Sequence, residues 1–205
     1  RLRQLTQDTG SLLIFDEVIS GFRASIGGAQ KYYGIEPDLT TLGKIIGGGL
    51  PAAAFGGSKK YMDQLSPEGP IYQAGTLSGN PMAMTAGYWV LRQLEAEGFY
   101  ESLEKKTLSF LEPIERAMQN KWPQRACIQR VGSMFTFFFG RGQVKDMADA
   151  TACDNSTFWS FFNYLLERGV YISPSPYETC CLMQAHTQEH LKKAQSIILD
   201  FIEAQ

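Results

Sequence analysis

Two periodicities run along this chain, and each marks an element. Ser11–Phe15 is a short apolar stretch of the kind that forms a buried parallel strand, and it runs directly into the carboxylates Asp16 and Glu17. Leu39–Leu42 and Ala52–Phe55 read as the next strands, with Ser58 as the N-cap of a short helix. Asn80 then caps a helix whose first turn holds Pro81; it runs through Met84, Tyr88, Leu91 and Leu94, and Gly98 ends it. The opening residues, R-L-R-Q-L-T-Q-D-T-G, read as the tail of a helix followed by a loop.

Beyond Gly98 the pattern becomes helix, strands, helix, strand, helix. Leu103, Leu108 and Leu111 mark a helix that Pro113 is expected to kink or interrupt. Ile128–Val131 and Met134–Phe139 read as strands joined at Gly132-Ser133. Phe158, Phe161, Phe162 and Leu165 recur at i, i+3, i+4, i+7, the apolar face of a helix capped by Ser156 and ended by Gly169. This aromatic stripe reads as core packing. Thr187 caps a last helix that turns Leu191, Ala194, Ile198 and Phe201 inward.

Composition narrows the field without choosing a function. Among 205 residues, 44% are hydrophobic and 20% charged, ordinary for a soluble globular protein. A formal net charge of −2 gives no electrostatic case for nucleic acid or an anionic membrane, and no apolar run approaches the roughly 20 residues that span a bilayer. Cys127, Cys153, Cys180 and Cys181 show neither paired spacing nor secretory context, so reduced thiols in a cytoplasmic compartment are expected. The stretch His186–His190 fits H-x-x-E-H, a zinc-peptidase pattern. Thr187 is the natural N-cap, however, which leaves His186 outside the helix, and no metal site is assigned.

Lys44 and Asp16 are the candidate reactive groups. Small and apolar residues flank Lys44 in T-T-L-G-K-I-I-G-G-G-L-P. That setting predicts an amine held in a confined pocket, where desolvation favours the neutral, nucleophilic form that a Schiff-base lysine needs. Asp16 ends a predicted strand, and ligands of open α/β sheets gather at the carboxyl ends of strands. A carboxylate there can pair with the pyridinium nitrogen of pyridoxal phosphate; it can equally be a helix cap or half of a structural ion pair.

Three longer wordings go further. D-E-V-I-S-G-F-R, the stretch G-G-A-Q-K-Y-Y-G-I-E-P-D-L-T-T-L-G-K-I-I-G-G-G-L-P-A-A-A-F-G-G, and Y-Q-A-G-T-L-S-G-N-P-M-A-M together closely resemble the glutamate-1-semialdehyde 2,1-aminomutase family, fold-type I pyridoxal-phosphate enzymes related to the class III aminotransferases. The resemblance covers the C-terminal half of the family pattern. It implies an α/β fold: residues 1–98 as the C-terminal part of a large cofactor-binding domain and residues 99–205 as an α+β small C-terminal domain. The upstream phosphate loop, the ring-stacking aromatic and the substrate-carboxylate groups would lie outside the chain, so the 205 residues alone are expected to be inactive.

Roles follow from the resemblance position by position. Lys44 would carry the cofactor and act as general acid/base, Asp16 would hold the pyridine nitrogen protonated, and Val18 would pack on the ring. Tyr72 would approach the cofactor or Lys44. Gly75 and Thr76 would bind the cofactor phosphate of the neighbouring subunit of a homodimer. Glu178 would face the active site from the small domain, although T-C-C-L-M-Q after it departs from the glycine-containing wording of the family. The implied reaction, on a small-molecule substrate, starts from the pyridoxamine phosphate form and converts glutamate-1-semialdehyde to 5-aminolevulinate. Two alternatives stay open: a class III aminotransferase with an external amino acceptor, and a non-catalytic dimerisation module.

Overall fold

The predicted strand at Ser11–Phe15 condenses to three residues, β1 (Ile14–Asp16), following helix α1 (Leu2–Thr9). Coordinates of the computed structural model describe residues 1–205, which form two compact units, Arg1–Tyr100 and Glu101–Gln205. In the first unit β1 is followed by α2 (Gly28–Tyr33), β2 (Leu39–Leu42), β3 (Ala54–Gly57), α3 (Lys59–Met62) and α4 (Pro81–Leu94). The sheet order is β1-β2-β3. β1 and β2 are parallel, with Asp16 opposite Thr41, and β2 and β3 are antiparallel, with Leu42 opposite Ala54. Parallel pairing agrees with the sequence reading, but burial does not: β1 is an edge strand and Ile14 stays 55% exposed.

Other expectations in this unit shift in register. β3 begins two residues later than predicted, because Gly56 and Gly57 join the ladder opposite Thr40 and Leu39, where a Cβ on Gly57 would run into the Asp38 carbonyl oxygen. Ser58 occupies the cap position of α3 without bonding through its hydroxyl. Asn80 does cap α4: its Oδ1 accepts from the amides of Met82 and Ala83 at 3.1 and 3.3 Å. α4 stops at Leu94, short of Gly98, which instead turns the chain at φ 76° ahead of the next helix.

The second unit holds the hydrophobic core. It comprises α5 (Phe99–Lys121, whose first two residues belong to the first unit), β4 (Ala126–Val131), β5 (Met134–Phe139), α6 (Met147–Thr151), α7 (Asn155–Glu167), β6 (Cys180–Cys181) and α8 (Gln188–Ala204). The antiparallel sheet runs β4-β5-β6. Alternation along β5 sends Phe135, Phe137 and Phe139 into the core, where Phe161 of α7 meets both Phe137 and Phe139 edge-on and Phe201 of α8 as well. The stripe Phe158, Phe161, Phe162, Leu165 is buried as the helical period requires, as are Leu191, Ile198 and Phe201 of α8. Thr187 caps α8 through the His190 amide.

Two local predictions are corrected here. The cap of α7 is Asp154 and not Ser156: Asp154 Oδ1 accepts from the Ser156 and Thr157 amides at 3.0 and 3.2 Å. α5 runs unbroken through Pro113. Proline has no N–H for the carbonyl four residues back, which orphans the Ser109 oxygen. Gln195 of α8 satisfies it, donating from Nε2 to Ser109 O at 3.2 Å and to Phe110 O at 2.7 Å.

Replacing Gln195 with Leu should therefore cost about 0.5–1.5 kcal/mol, the range for loss of an ordinary hydrogen bond, since Ser109 lies at the exposed margin of α5. In a Pro113→Ala background, which restores the helical N–H, the same replacement should cost clearly less; equal costs in urea denaturation of the two backgrounds would disprove the compensation. Asp154 gives a pH prediction. Hydrogen bonds from the Ser156 and Thr157 side chains pull its pKa down to about 2, below the unfolded value of about 3.9. Its stabilisation is complete above about pH 4 and is lost as pH falls through the folded value. Asp154→Ala should thus flatten the acid limb of the stability curve between about pH 4 and pH 2.

Candidate active site

Strand β2 delivers the chain to Lys44 through Gly43, whose extended backbone packs where a Cβ would lie 3.2 Å from Val18 Cγ1. Lys44 itself has φ 48°, in the left-handed region, and opens a one-turn 3-10 helix, Lys44–Gly47. Non-glycine residues occupy this region at a cost of about 1–3 kcal/mol, sustained only where surroundings dictate it. The surroundings are α4. A Cβ on Gly48 would come 2.6 Å from the Ala86 carbonyl oxygen, and one on Gly87 would collide with the Ile46 carbonyl. Helix and turn meet backbone to backbone.

This geometry corrects the expected environment of Lys44. The flanking glycines, Gly43 and Gly47, are buried, whereas the lysine is exposed. Within these residues its small neighbours lie against Val18, Ala52 and α4, and the confinement read from them is that of the backbone.

Asp16 is likewise exposed, at the carboxyl end of β1. Its Oδ1 accepts from the Val18 amide at 3.0 Å and from the Thr41 hydroxyl at 3.4 Å. Its two partners, Val18 and Thr41, line a cavity of about 690 Å³ together with Gly75, Ser78 and Met84 among others, but neither Asp16 nor Lys44 is among the lining residues. Val18 and Gly75 are thus brought to one space within the same chain. Thr76 and Tyr72 are not among its lining residues; both are exposed, Tyr72 to 82%. Glu178, in the second unit, has an exposed side chain on the loop before β6. Both histidines of the H-x-x-E-H stretch serve the backbone: Nδ1 of His186 accepts from the Met183 amide and Nδ1 of His190 from the Thr187 amide.

Glu17 escaped the sequence reading. It is only 1% exposed, yet its carboxylate is fully engaged: Ser20 Oγ donates at 2.5 Å, the Ala29 and Gln30 amides at 2.9 Å each, and Gln30 Nε2 at 3.4 Å. Burial pushes its pKa up, and these hydrogen bonds outweigh that, leaving it below the ordinary value. Glu17 thereby caps α2 from the strand end next to Asp16. Gly28 sits against it at φ 67°, where a Cβ would lie 2.5 and 2.6 Å from the two carboxylate oxygens. The available signal was Glu17 itself, an acidic residue within the apolar run L-L-I-F-D-E-V-I, ten positions ahead of the glycine pair of G-G-A-Q.

Comparison with known proteins places this architecture. Solved structures of the same fold are fold-type I pyridoxal-phosphate transferases; among them a β-phenylalanine aminotransferase from Variovorax paradoxus aligns over 99% of this chain and 46% of its own, at 31% identity and TM-score 0.88. The aminotransferase class-III family profile matches residues 1–202, and the chain belongs to that family, whose cofactor is pyridoxal phosphate. Curated relatives named glutamate-1-semialdehyde 2,1-aminomutase include one from Protochlamydia amoebophila, 51% identical over 98% of this chain and 46% of its own, and one from Desulfitobacterium hafniense, 55% identical over 91% and 43%. The chain spans about half the length of the curated relatives it matches.

Gly28→Ala should destabilise the first unit, through both its left-handed backbone and the collision with Glu17, by more than the roughly 1 kcal/mol typical of a Gly-to-Ala change at an incompatible site. Glu17→Ala in the same background should recover part of the loss in a thermal melt. No recovery would mean that the carboxylate is not what Gly28 accommodates.

Proposed function

We propose that these residues form the C-terminal half of a glutamate-1-semialdehyde 2,1-aminomutase, a cytoplasmic homodimer that makes 5-aminolevulinate for tetrapyrrole synthesis. The observation that carries this reading is the identity to aminomutase-named relatives, 51% along nearly the whole chain, against 31% to the β-phenylalanine aminotransferase of the same fold.

The donor set fits pyridoxal phosphate. A carboxylate (Asp16), an aliphatic side chain (Val18) and a primary amine (Lys44) follow the carboxyl ends of the parallel pair β1 and β2. The cavity that Val18 lines, about 690 Å³, lies within the usual range of ligand sites, about 300–1,000 Å³. When bound, the cofactor supplies an electron sink and a carrier for the amino group. Asp16, whose Oδ1 accepts from Val18 and Thr41, would pair its carboxylate with the cofactor's ring nitrogen. Val18 packs on the ring. Lys44, the primary amine of the set, would hold the cofactor and serve as the general acid/base of the site. Tyr72 would approach the cofactor or Lys44, and Gly75 and Thr76 would bind the cofactor phosphate of the neighbouring subunit. Glu178, exposed in the second unit, keeps its role through the resemblance alone. Exposed apolar side chains on and before α4, Leu77, Met82, Tyr88 and Trp89, each more than half exposed, support burial against a second copy. No helix is long and apolar enough to cross a membrane.

The test uses the protein in which these residues are joined to an upstream half like that of the relatives. It should form 5-aminolevulinate from glutamate-1-semialdehyde with no second substrate, and Lys44→Ala should abolish the borohydride-trapped cofactor adduct and slow turnover at least about 10²-fold. Obligate dependence on 2-oxoglutarate would favour the aminotransferase reading. A Lys44→Ala protein that keeps both adduct and rate would remove Lys44 from the chemistry.

A further inference from the structure

Asp16 is the last residue of β1, and β1 is the edge of its sheet, so β2 alone holds it as a strand neighbour. Its carboxylate has two tethers, the Val18 amide and the Thr41 hydroxyl. Both bind the same oxygen, Oδ1, and Oδ2 makes no hydrogen bond within the chain. The amide is the closer tether, at 3.0 Å against 3.4 Å. Where that N–H points is decided by the peptide group between Glu17 and Val18, whose atoms turn together as one plane.

Glu17 fixes that plane. Its amide donates to the Thr41 carbonyl at 2.9 Å, one bond beyond the end of the strand, and its carbonyl, in the same plane as the Val18 N–H, accepts from the Gly21 amide at 2.8 Å. Gly21 comes this close because it has no side chain: a Cβ there would lie 2.6 Å from the Glu17 carbonyl oxygen. The Glu17 carboxylate is the third anchor. Oε2 accepts from the Ser20 hydroxyl and the Ala29 amide, and Oε1 from the main-chain and side-chain nitrogens of Gln30. Every partner is a donor, so the site suits an ionised carboxylate, which only accepts, and not a glutamine, whose NH₂ is itself a donor. Burying a charged group is costly unless all its partners are supplied, and a neutral serine or asparagine caps a helix as well; α2 has only six residues. What the carboxylate adds is a hold on the main chain between Asp16 and Val18.

We propose that Glu17 is a positioning residue for the cofactor site: its buried carboxylate locks the Glu17–Val18 peptide and thereby sets the placement of the Asp16 carboxylate and the Val18 side chain. This rests on the roles given to Asp16 and Val18 above, and every residue in it belongs to the first unit. Misplacement by about 1 Å can cost up to about 10²-fold in rate. Glu17 acts through one peptide group, so a smaller part of that is expected.

The experiment uses the full-length protein loaded with pyridoxal phosphate that carries nitrogen-15 in its ring, where the chemical shift reports protonation of the ring nitrogen. Asp16→Asn, whose neutral amide does not stabilise the protonated form, sets the far end of the scale. Glu17→Gln should move the shift part of the way to that end and lower kcat about 10-fold with KM within about 2-fold. Ser20→Ala removes a single donor and should act in the same direction, lowering kcat about 2-fold to 3-fold; should Glu17→Gln fail to fold, Ser20→Ala decides. Added to Asp16→Asn, either change should cost less than about a further 2-fold, because residues acting as one unit are non-additive. In the cofactor-free protein, hydrogen exchange of the Val18 amide should quicken in both variants. If Asp16→Asn moves the shift and the Glu17 and Ser20 variants keep the parent shift or the parent exchange rate, the role of Asp16 stands and the proposal is overturned. If Asp16→Asn itself keeps the parent shift, the role of Asp16 fails and positioning by Glu17 fails with it.

Discussion

Backbone contact between α4 and the turn at Lys44–Gly47 is the constraint on which the first unit depends. Gly48 and Gly87 remove the two side chains that would keep helix and turn apart, and the close approach holds Lys44 in a conformation that lysine does not adopt freely. Around this contact the other candidate groups follow from short tethers. Gly43 brings the start of the turn against Val18, Asp16 bonds Val18 and Thr41, and the turn Gly75–Ser78 precedes the Asn80 cap that begins α4. One helix thus bears both on the lysine turn and on the segment expected to serve a phosphate.

The second unit is organised differently, around side-chain volume. Its core is a stack of aromatic rings from β5, α7 and α8 meeting edge-on or tilted, geometry that suits the ring quadrupoles. Such a core tolerates an irregularity at its margin if every polar group is answered. Pro113 and Gln195 show how: the missing N–H of one helix is replaced by an amide from another, so a residue that usually ends a helix is accommodated within 23 continuous residues.

What the sequence revealed was whatever depended on near neighbours. The alternation of β5, the period of α7 and the Thr187 cap are local patterns, and all are present. The cap at Asp154 was misassigned by two positions because aspartate and serine both serve well there and only the backbone decides. The continuity of α5 was out of reach, since the acceptor at Ser109 is answered 86 positions away. At the candidate site, the burial expected of Lys44 was read from its neighbours, whose small size serves packing against Val18, Ala52 and α4. Glu17 went unseen because its partners are amides of a helix whose start only the fold defines.

The left-handed backbone of Lys44 also bears on how its amine moves. With the turn pinned by α4, the freedom of the main chain at this residue is surrendered once, during folding. What remains mobile is the side chain, a short flexible tether on a fixed anchor. Its ammonium group is confined to the volume those torsions can sweep, and within that volume it is present at a high effective concentration whatever the bulk solution contains.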